Sequence, residues 1–406
     1  MRCFGLLRRL SHGHYKKRCK IGNIVPYYET IHKENTSRLC GAEGSGKVST
    51  YVCPGHRLPM ATIVEVAKRA RVSVGTVSNV IRGNAQVGRQ LREKVESAIR
   101  DLDYHPNEIA RSLKVNQTYM LGMVVPDITN PFFPEIIRGA EDKAFERRYL
   151  MVTANTDEQI ERERRIISAL RSRRVDGILL ACAPGADNHH IRGVIDAGIS
   201  LVCLDRMPVG MKVDAVLLDN VRGAQECVRH LLRVGYRDIA IITGPLELEI
   251  AKERLRGYER ALREAGIKIS RDLIMEGDFR EDSGYRKAKE LLVRRHRPSA
   301  IFVCNGVMTL GVLQAFEELG IHCPEEIALA TFDDLAGDRS FYPRLTVVAQ
   351  PGYAIGARGA TLLMERIEGR ATSKPTVIRL PPTLIIREST RARLAPKSTR
   401  RSARSG

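Results

Sequence analysis

The most specific chemistry in this chain of 406 residues lies between Thr62 and Leu113. Val74, Gly75, Thr76, Ser78 and Asn79 form a run of small and hydrogen-bonding side chains. An Asn amide can bond an adenine edge bidentately, and a Val or Thr methyl can pack on a thymine methyl. Each such contact discriminates between bases by roughly 1–3 kcal/mol. Small residues at the start of a helix also let its backbone approach base edges closely. The run therefore reads as a DNA-reading helix. The competing reading is an ordinary helical hairpin with a polar outer face.

The elements that would position these residues are visible as hydrophobic periodicity. Ile63, Val66, Ala67 and Ala70 repeat at i, i+3, i+4, i+7, one face of a helix. Val74, Val77, Val80 and Ile81 make a second face, and Leu91, Val95, Ala98, Ile99 and Leu102 a third, on a helix over 89–102. Thr62 and Ser73 stand where the first two helices need a side-chain oxygen for their unpaired N–H groups. Two helices of about two turns bury no core alone. Packed at a steep angle with a third, they make a helix-turn-helix.

Pro106 closes the third helix, and Asn107 can cap a short fourth one over 108–113. The array from Ala61 to Thr118 resembles the LacI/GalR family of bacterial transcription regulators, and ARSLKVNQT (110–118) resembles the hinge of its purine-repressor branch. The resemblance continues through DITNPFF (127–133), RRVDGILL (173–180), LVCLDR (201–206), DNVRGA (219–224), ITGPL (242–246), GDF (277–279) and PEEIALATFDDL (324–335). It covers about residues 61–389. It implies that Asn107, Ala110, Arg111 and Leu113 belong to a hinge helix in the minor groove. There the Leu113 position wedges between base pairs, so that unstacking is offset by the contacts of a bent site. The competing role for Leu113 is as the core residue of an amphipathic linker.

Past the hinge, strand-like apolar runs alternate with helical patterns. Strands are expected at 120–126, 150–154, 177–183, 201–205, 215–218, 239–243, 273–277, 300–304 and 327–332, and helices at 133–148, 158–173, 222–234 and 252–265. Continuous apolar strands interleaved with helices predict parallel sheets covered on both faces. The fold class is thus a small all-α helix-turn-helix domain followed by a larger α/β domain. The resemblance makes the latter two Rossmann-like lobes joined by three crossovers, as in periplasmic binding proteins. The expected division is a basic extension over 1–59, a helix-turn-helix over 60–105, a hinge over 106–118, an effector-binding and dimerisation domain over 119–390, and a basic tail over 391–406.

Open parallel sheets bind ligands beyond the carboxyl ends of their strands. Asp127, Phe132, Phe133, Asp205, Arg206, Phe279 and Asp333 follow strands, and Arg254 opens a helix after ITGPL. In the family pattern these positions line the effector cleft, where a ring stacks on a sugar or base and Asp and Arg make charge-assisted bonds. Each has a plainer role available: Phe132 and Phe133 as core, Asp127 and Asp333 as turn caps, Arg254 as a solvated helix residue. The chain also departs from the family. Gly306 stands where an Asp is common, and Thr331 where a Gly is. Ile250 and Arg206 replace a threonine and an aromatic residue of the purine branch. Arg206 after Asp205 resembles the sugar-responsive branches, so the expected effector is a sugar or sugar derivative, with a purine or nucleobase as the alternative.

Charge follows the same division. The formal net charge is +19, of which residues 1–60 carry +8, residues 61–118 carry +4 and residues 391–406 carry +6, leaving +1 for residues 119–390. A near-neutral middle with basic ends suits a bipartite regulator better than a protein coating nucleic acid along its length. GAEGSGKV (41–48) imitates a phosphate-binding loop but has Val48 where a metal-binding hydroxyl is required. The apolar run at 4–7 is too short for an export signal. Residues 1–59 read as a disordered extension or a start assigned too far upstream. The tail is too polar to fold.

Nine cysteines show no CxxC pair or metal spacing, and Cys182, Cys203 and Cys304 fall in buried strands, as expected in a reducing cytosol. No stretch reaches the roughly 18 apolar residues that span a membrane. No catalytic constellation is present: GxSxG, HExxH and a strand-end GxGxxG are missing, and His189–His190 reads as a solvated pair in a polar loop. No cofactor or metal is expected. The rivals from other classes are a sugar-binding transport component and an enzyme using the cleft. The expected partners are a pseudo-palindromic double-stranded operator, a small effector and a second copy of the chain, in the bacterial cytoplasm on the nucleoid. Leu113→Gly should abolish operator-specific binding in a gel-shift titration while leaving effector affinity nearly intact; specific binding that survives removes the wedge role.

Overall fold

A computed structural model of the chain describes residues 61–84, 86–105, 117–185, 187–334 and 343–391. It divides into two compact units, residues 1–106 and 107–406. The hinge candidates Asn107, Ala110, Arg111 and Leu113, the extension over 1–59 and the tail beyond Arg391 lie outside the described residues.

Among its described residues the first unit holds three helices: α1 (Ile63–Ala70), α2 (Val74–Ile81) and α3 (Arg89–Asp101). Thr62 begins α1 with a capping box, its side chain accepting from the Glu65 amide while Glu65 accepts from the Thr62 amide. The Thr62 amide and hydroxyl both donate to the Glu65 carboxylate and hold it below its usual range. Ser73 caps α2 by accepting from the Thr76 amide at 3.1 Å. Between α1 and α2 the chain turns through Arg71 in the left-handed region, φ 55°. Val66, Ala67, Ala70, Val77, Val80, Val95 and Ala98 form the core, joined by Tyr104. Leu91, expected on the inner face of α3, is 42% exposed. A unit this small has too little interior to cover both ends of its longest helix.

The second unit holds two six-stranded sheets. The first runs β11-β5-β4-β3-β1-β2, from β1 (Met120–Val125), β2 (Leu150–Asn155), β3 (Gly177–Leu180), β4 (Ser200–Leu204), β5 (Asp214–Leu218) and β11 (Val377–Leu380). The second runs β12-β10-β9-β8-β6-β7, from β6 (Ile239–Thr243), β7 (Ile274–Glu276), β8 (Ala300–Val303), β9 (Ala328–Phe332), β10 (Thr346–Ala349) and β12 (Thr383–Ile385). Every pairing is parallel except β10 with β12. The chain passes between sheets after β5, after β10 and after β11.

Eight of the nine expected strands are present within a residue at each end. The ninth, β3, stops at Leu180, three residues before the expected end at 183, and β10, β11 and β12 have no counterpart in the sequence reading. These three are short, and β11 and β12 are half-exposed edge strands held by partners far away in sequence. β2 is also an edge strand, with Leu150 64% exposed rather than covered on both faces. The connecting helices are α4 (Phe132–Glu146), α5 (Ile160–Ser172), α6 (His189–Asp196), α7 (Asn220–Arg233), α8 (Glu249–Glu264), α9 (Glu281–Leu292), α10 (Gly306–Leu319) and α11 (Gly352–Ile367).

His189 and His190 open α6 rather than lying in a loop. His189 is solvated, but His190 is half-buried with its Nε2 2.6 Å from Glu163 Oε1. Glu163 is itself fully buried and also accepts from the Ala183 amide. A carboxylate carried inside by α5 requires such partners.

α4 and α11 cross at backbone contact. A Cβ added at Gly139 would collide with the Tyr353 carbonyl, and one at Gly356 with that of Ile136. Backbone cannot step aside as a flexible side chain can. Gly139→Ala is expected to cost about 1–3 kcal/mol, read as a lower urea midpoint with an unchanged slope.

Candidate functional site

The eight candidate effector residues converge on one cleft with about 490 Å³ of empty volume, open to solvent. Its wall is built where buried strands end. Asp205 follows β4 at φ 63° and Asp333 follows β9 at φ 72°, while Phe279 stands just past β7 at φ 66°. Non-glycine residues in this region are costly, roughly 1–3 kcal/mol each, and persist where the surroundings over-determine them. Asp tolerates the conformation; for Phe279 it is a genuine outlier.

Phe279 is held by what lies beneath it. A Cβ added at Gly244 would fall inside the Phe279 ring, so the ring lies directly on bare backbone just after β6. Phe132 and Phe133, at the start of α4, have ring centroids 5.2 Å apart. Both line the cleft and both belong to the core, so the two roles proposed for them are compatible. Asp127 accepts from the Thr129 amide at 2.9 Å and its hydroxyl at 2.6 Å, a turn cap at the rim.

The charged groups are paired. Arg206 makes a fork with Glu158, at 2.7 and 2.9 Å. Its Nε lies 3.3 Å from Asp205 Oδ2 without the alignment of a hydrogen bond. Burial opposes the charge on Arg206, yet Glu158 and Asp205 together hold its guanidinium above its ordinary value. Burial raises the Asp205 carboxyl, against the pull of Arg206 and Arg254. Arg254 is 2% exposed, which removes the solvated reading. It donates to Asn220 Oδ1 at 2.8 Å and to the Cys304 carbonyl, and lies 4.0 Å over the Phe332 ring. Asp333 accepts from the Gly306 amide at 3.1 Å and from Gln350 Nε2. At Gly306 a backbone N–H thus makes the polar contact. The Thr331 hydroxyl is buried 2.6 Å from that of Thr309. Of the cleft residues, Oδ1 of Asp205, Oε1 of Gln350 and Nε of Arg206 are buried without a hydrogen-bond partner.

The cleft also contains Asn130, Glu158, Ile250, Asp278, Arg280, Asn305 and Gln350. In the sequence Ile250 stands out only as a departure from the purine branch, and Asn130, Asp278 and Asn305 only as members of family motifs, while Glu158, Arg280 and Gln350 belong to no motif. Glu158 obeys the same carboxyl-end rule as its neighbours, coming soon after β2. Gln350 follows β10, a strand that went unrecognised. The described residues hold no group of three His, Cys, Asp or Glu placed for a metal, and no helix long and apolar enough to cross a membrane.

In the first unit, Ser73, Val74 and Gly75 are exposed at the start of α2, and Thr76, Ser78 and Asn79 are half-buried. Val74, 41% exposed, lies outside the apolar face to which its spacing also assigned it. Thr62 and Ser73 serve as caps, and the Thr76 hydroxyl is 2.9 Å from that of Ser73.

A helix-turn-helix unit and a two-sheet unit with a polar cleft, carried on one chain, define a ligand-controlled DNA-binding regulator. Residues 62–107 match the family of bacterial regulatory proteins of the lacI type, and residues 228–390 match a periplasmic binding protein-like domain. The HTH-type transcriptional repressor PurR of Pasteurella multocida is 37% identical over 82% of this chain and 100% of its own length. A complex of the transcriptional regulator CelR with cellobiose is 33% identical, with TM-score 0.63 over 81% of this chain and 99% of its own. The lac repressor dimer bound to operator and the anti-inducer ONPF is 26% identical, with TM-score 0.73 over 82% and 99%. The chain belongs to the lacI family and is a DNA-binding transcriptional repressor with an effector-binding domain. Gly244→Ala, by lifting the Phe279 ring, is expected to weaken effector binding by about tenfold, or ~1.4 kcal/mol. Calorimetric titration checks it, with operator affinity of the ligand-free protein as the control.

Proposed function

We propose that this repressor acts as a homodimer on a pseudo-palindromic operator, which α2 reads through Val74, Gly75, Thr76, Ser78 and Asn79. The hinge over 106–118, with Asn107, Ala110, Arg111 and Leu113, sits in the minor groove at the operator centre. A sugar or sugar derivative bound in the cleft controls that affinity. Residues 119–390 form the effector and dimerisation domain. A ligand that favours one arrangement of the two sheets shifts its population, and with it the geometry offered to the hinges.

The observation that carries the sugar reading is the pairing of ring faces with buried, unpartnered acceptors. Phe279 offers a stacking surface, while Asp205 Oδ1 and Gln350 Oε1 call for O–H or N–H donors. The cellobiose complex of CelR supports this reading. The relationship to PurR supports a purine effector instead. Against it, Arg206 and Ile250 replace an aromatic and a threonine of the purine branch. Thermal denaturation of the full chain with sugars and nucleobases separates the two. A ligand at 100 times its Kd adds about 2.7 kcal/mol to the native state. A sugar that stabilises the protein and changes operator affinity in a fluorescence titration is the expected result; a nucleobase that does so instead overturns it.

A further inference from the structure

Arg206 is the cleft cation best placed by chemistry to seize an anion, since its planar fork matches a phosphate or carboxylate bidentately. It is 8% exposed, and its fork is already closed by Glu158. The backbone that carries Glu158 is firmly placed. Glu158 follows Asp157 in a turn where both residues are left-handed, at φ 60° and 52°. That turn is fastened at several points. Asn155 Nδ2 donates to Asp157 Oδ1, Arg162 pairs with Asp157, and the Ile128 amide donates to Asn155 Oδ1 at 2.8 Å. Two consecutive strained residues, tied from both sides, deliver one carboxylate onto one guanidinium.

The remaining cations give an anion little. The fork of Arg254 is engaged by Asn220 and the Cys304 carbonyl, with Phe332 beneath it. Arg280 stands exposed at the rim and shares its turn with Asp278, whose carboxylate accepts from the Arg280 amide. Around the cleft, five carboxylates face three guanidiniums. A phosphate entering here would have to part Glu158 from Arg206 and then lie beside both Glu158 and Asp205. An uncharged hydroxyl faces no such penalty, and it can donate to Asp205 Oδ1.

We propose that Glu158 sets the charge class of the effector: by closing the Arg206 fork it reserves the cleft for an uncharged polyhydroxylated ligand and turns away its phosphorylated forms. This rests on the reading of the cleft as the effector site. Glu158 is a specificity residue, because the group it controls is Arg206.

The experiment compares unphosphorylated pentoses, hexoses and disaccharides with their phosphate esters, and with inorganic phosphate at matched ionic strength. It uses the full chain in calorimetric and thermal-shift titrations. In the wild type, esters are expected to bind at least about tenfold more weakly than the parent sugar, and inorganic phosphate to give no shift beyond that of chloride. Glu158→Gln keeps the size and removes the charge. It should gain at least about tenfold for inorganic phosphate and esters, a gain that Arg206→Gln in the same background abolishes. A wild type that prefers the ester overturns the proposal, as does a folded E158Q with no gain for phosphate. A wild type that binds no sugar while E158Q acquires phosphate binding upholds the role of Glu158 and overturns the sugar reading instead. Equal binding of sugar and ester does the reverse. The wild-type comparison stands even where E158Q fails to fold.

Discussion

The structure depends on how the backbone leaves its buried strands. β4 and β9 end abruptly, and the residue that follows each, Asp205 and Asp333, turns out of the sheet in the left-handed region. Phe279 does the same just beyond β7. A sharp exit keeps a side chain at the sheet's edge instead of carrying it away on a loop. Because the chain passes three times between the two sheets, these exits converge on one cleft. The sheets provide the stability that holds the strain: Ile178, Leu179, Cys203 and Leu204 in one and Ile301, Phe302 and Leu329 in the other are wholly buried.

Charges placed at such exits are partly desolvated and need partners, which explains the order of the cleft. Arg254 is tied down by Asn220, the Cys304 carbonyl and the Phe332 face, so it acts as a fixed post rather than a mobile arm. Asp333 is fixed by the Gly306 amide and Gln350. Arg206 is fixed by Glu158. What remains for a ligand is two aimed acceptors, on Asp205 and Gln350, the Nε donor of Arg206 and aromatic surface. A site of this kind binds by matching hydrogen bonds, and a ligand that leaves one of them unpaired is rejected.

The helix-turn-helix unit shows the opposite economy. Its core is small, and two of its three helices begin on side-chain caps, at Thr62 and Ser73. The residues left exposed at the start of α2, Ser73, Val74 and Gly75, are short and do not pack on the unit's own core. Membership of the lacI family places DNA reading on this unit and ligand control on the other.

Much of this could be read from residue order alone. Period-3.6 patterns located all three small helices, and buried apolar runs located nine strands, because both signals are local consequences of one covered face. The rule that parallel sheets bind ligands beyond their carboxyl ends was enough to single out Asp205, Phe279, Asp333 and their neighbours. Other features depended on parts of the chain far apart in sequence. β11 pairs with β5, more than 150 positions earlier, and so carries no local mark of its own. Glu158 meets Arg206 across 48 positions, and His190 meets Glu163 across 27. Leu91 followed the right spacing and still faces water. Sequence by itself determined which faces are apolar and where strands end, since these are properties of neighbouring residues. Only the tertiary structure decided which charges are paired and which acceptors stay open, because pairing depends on distances that folding alone creates.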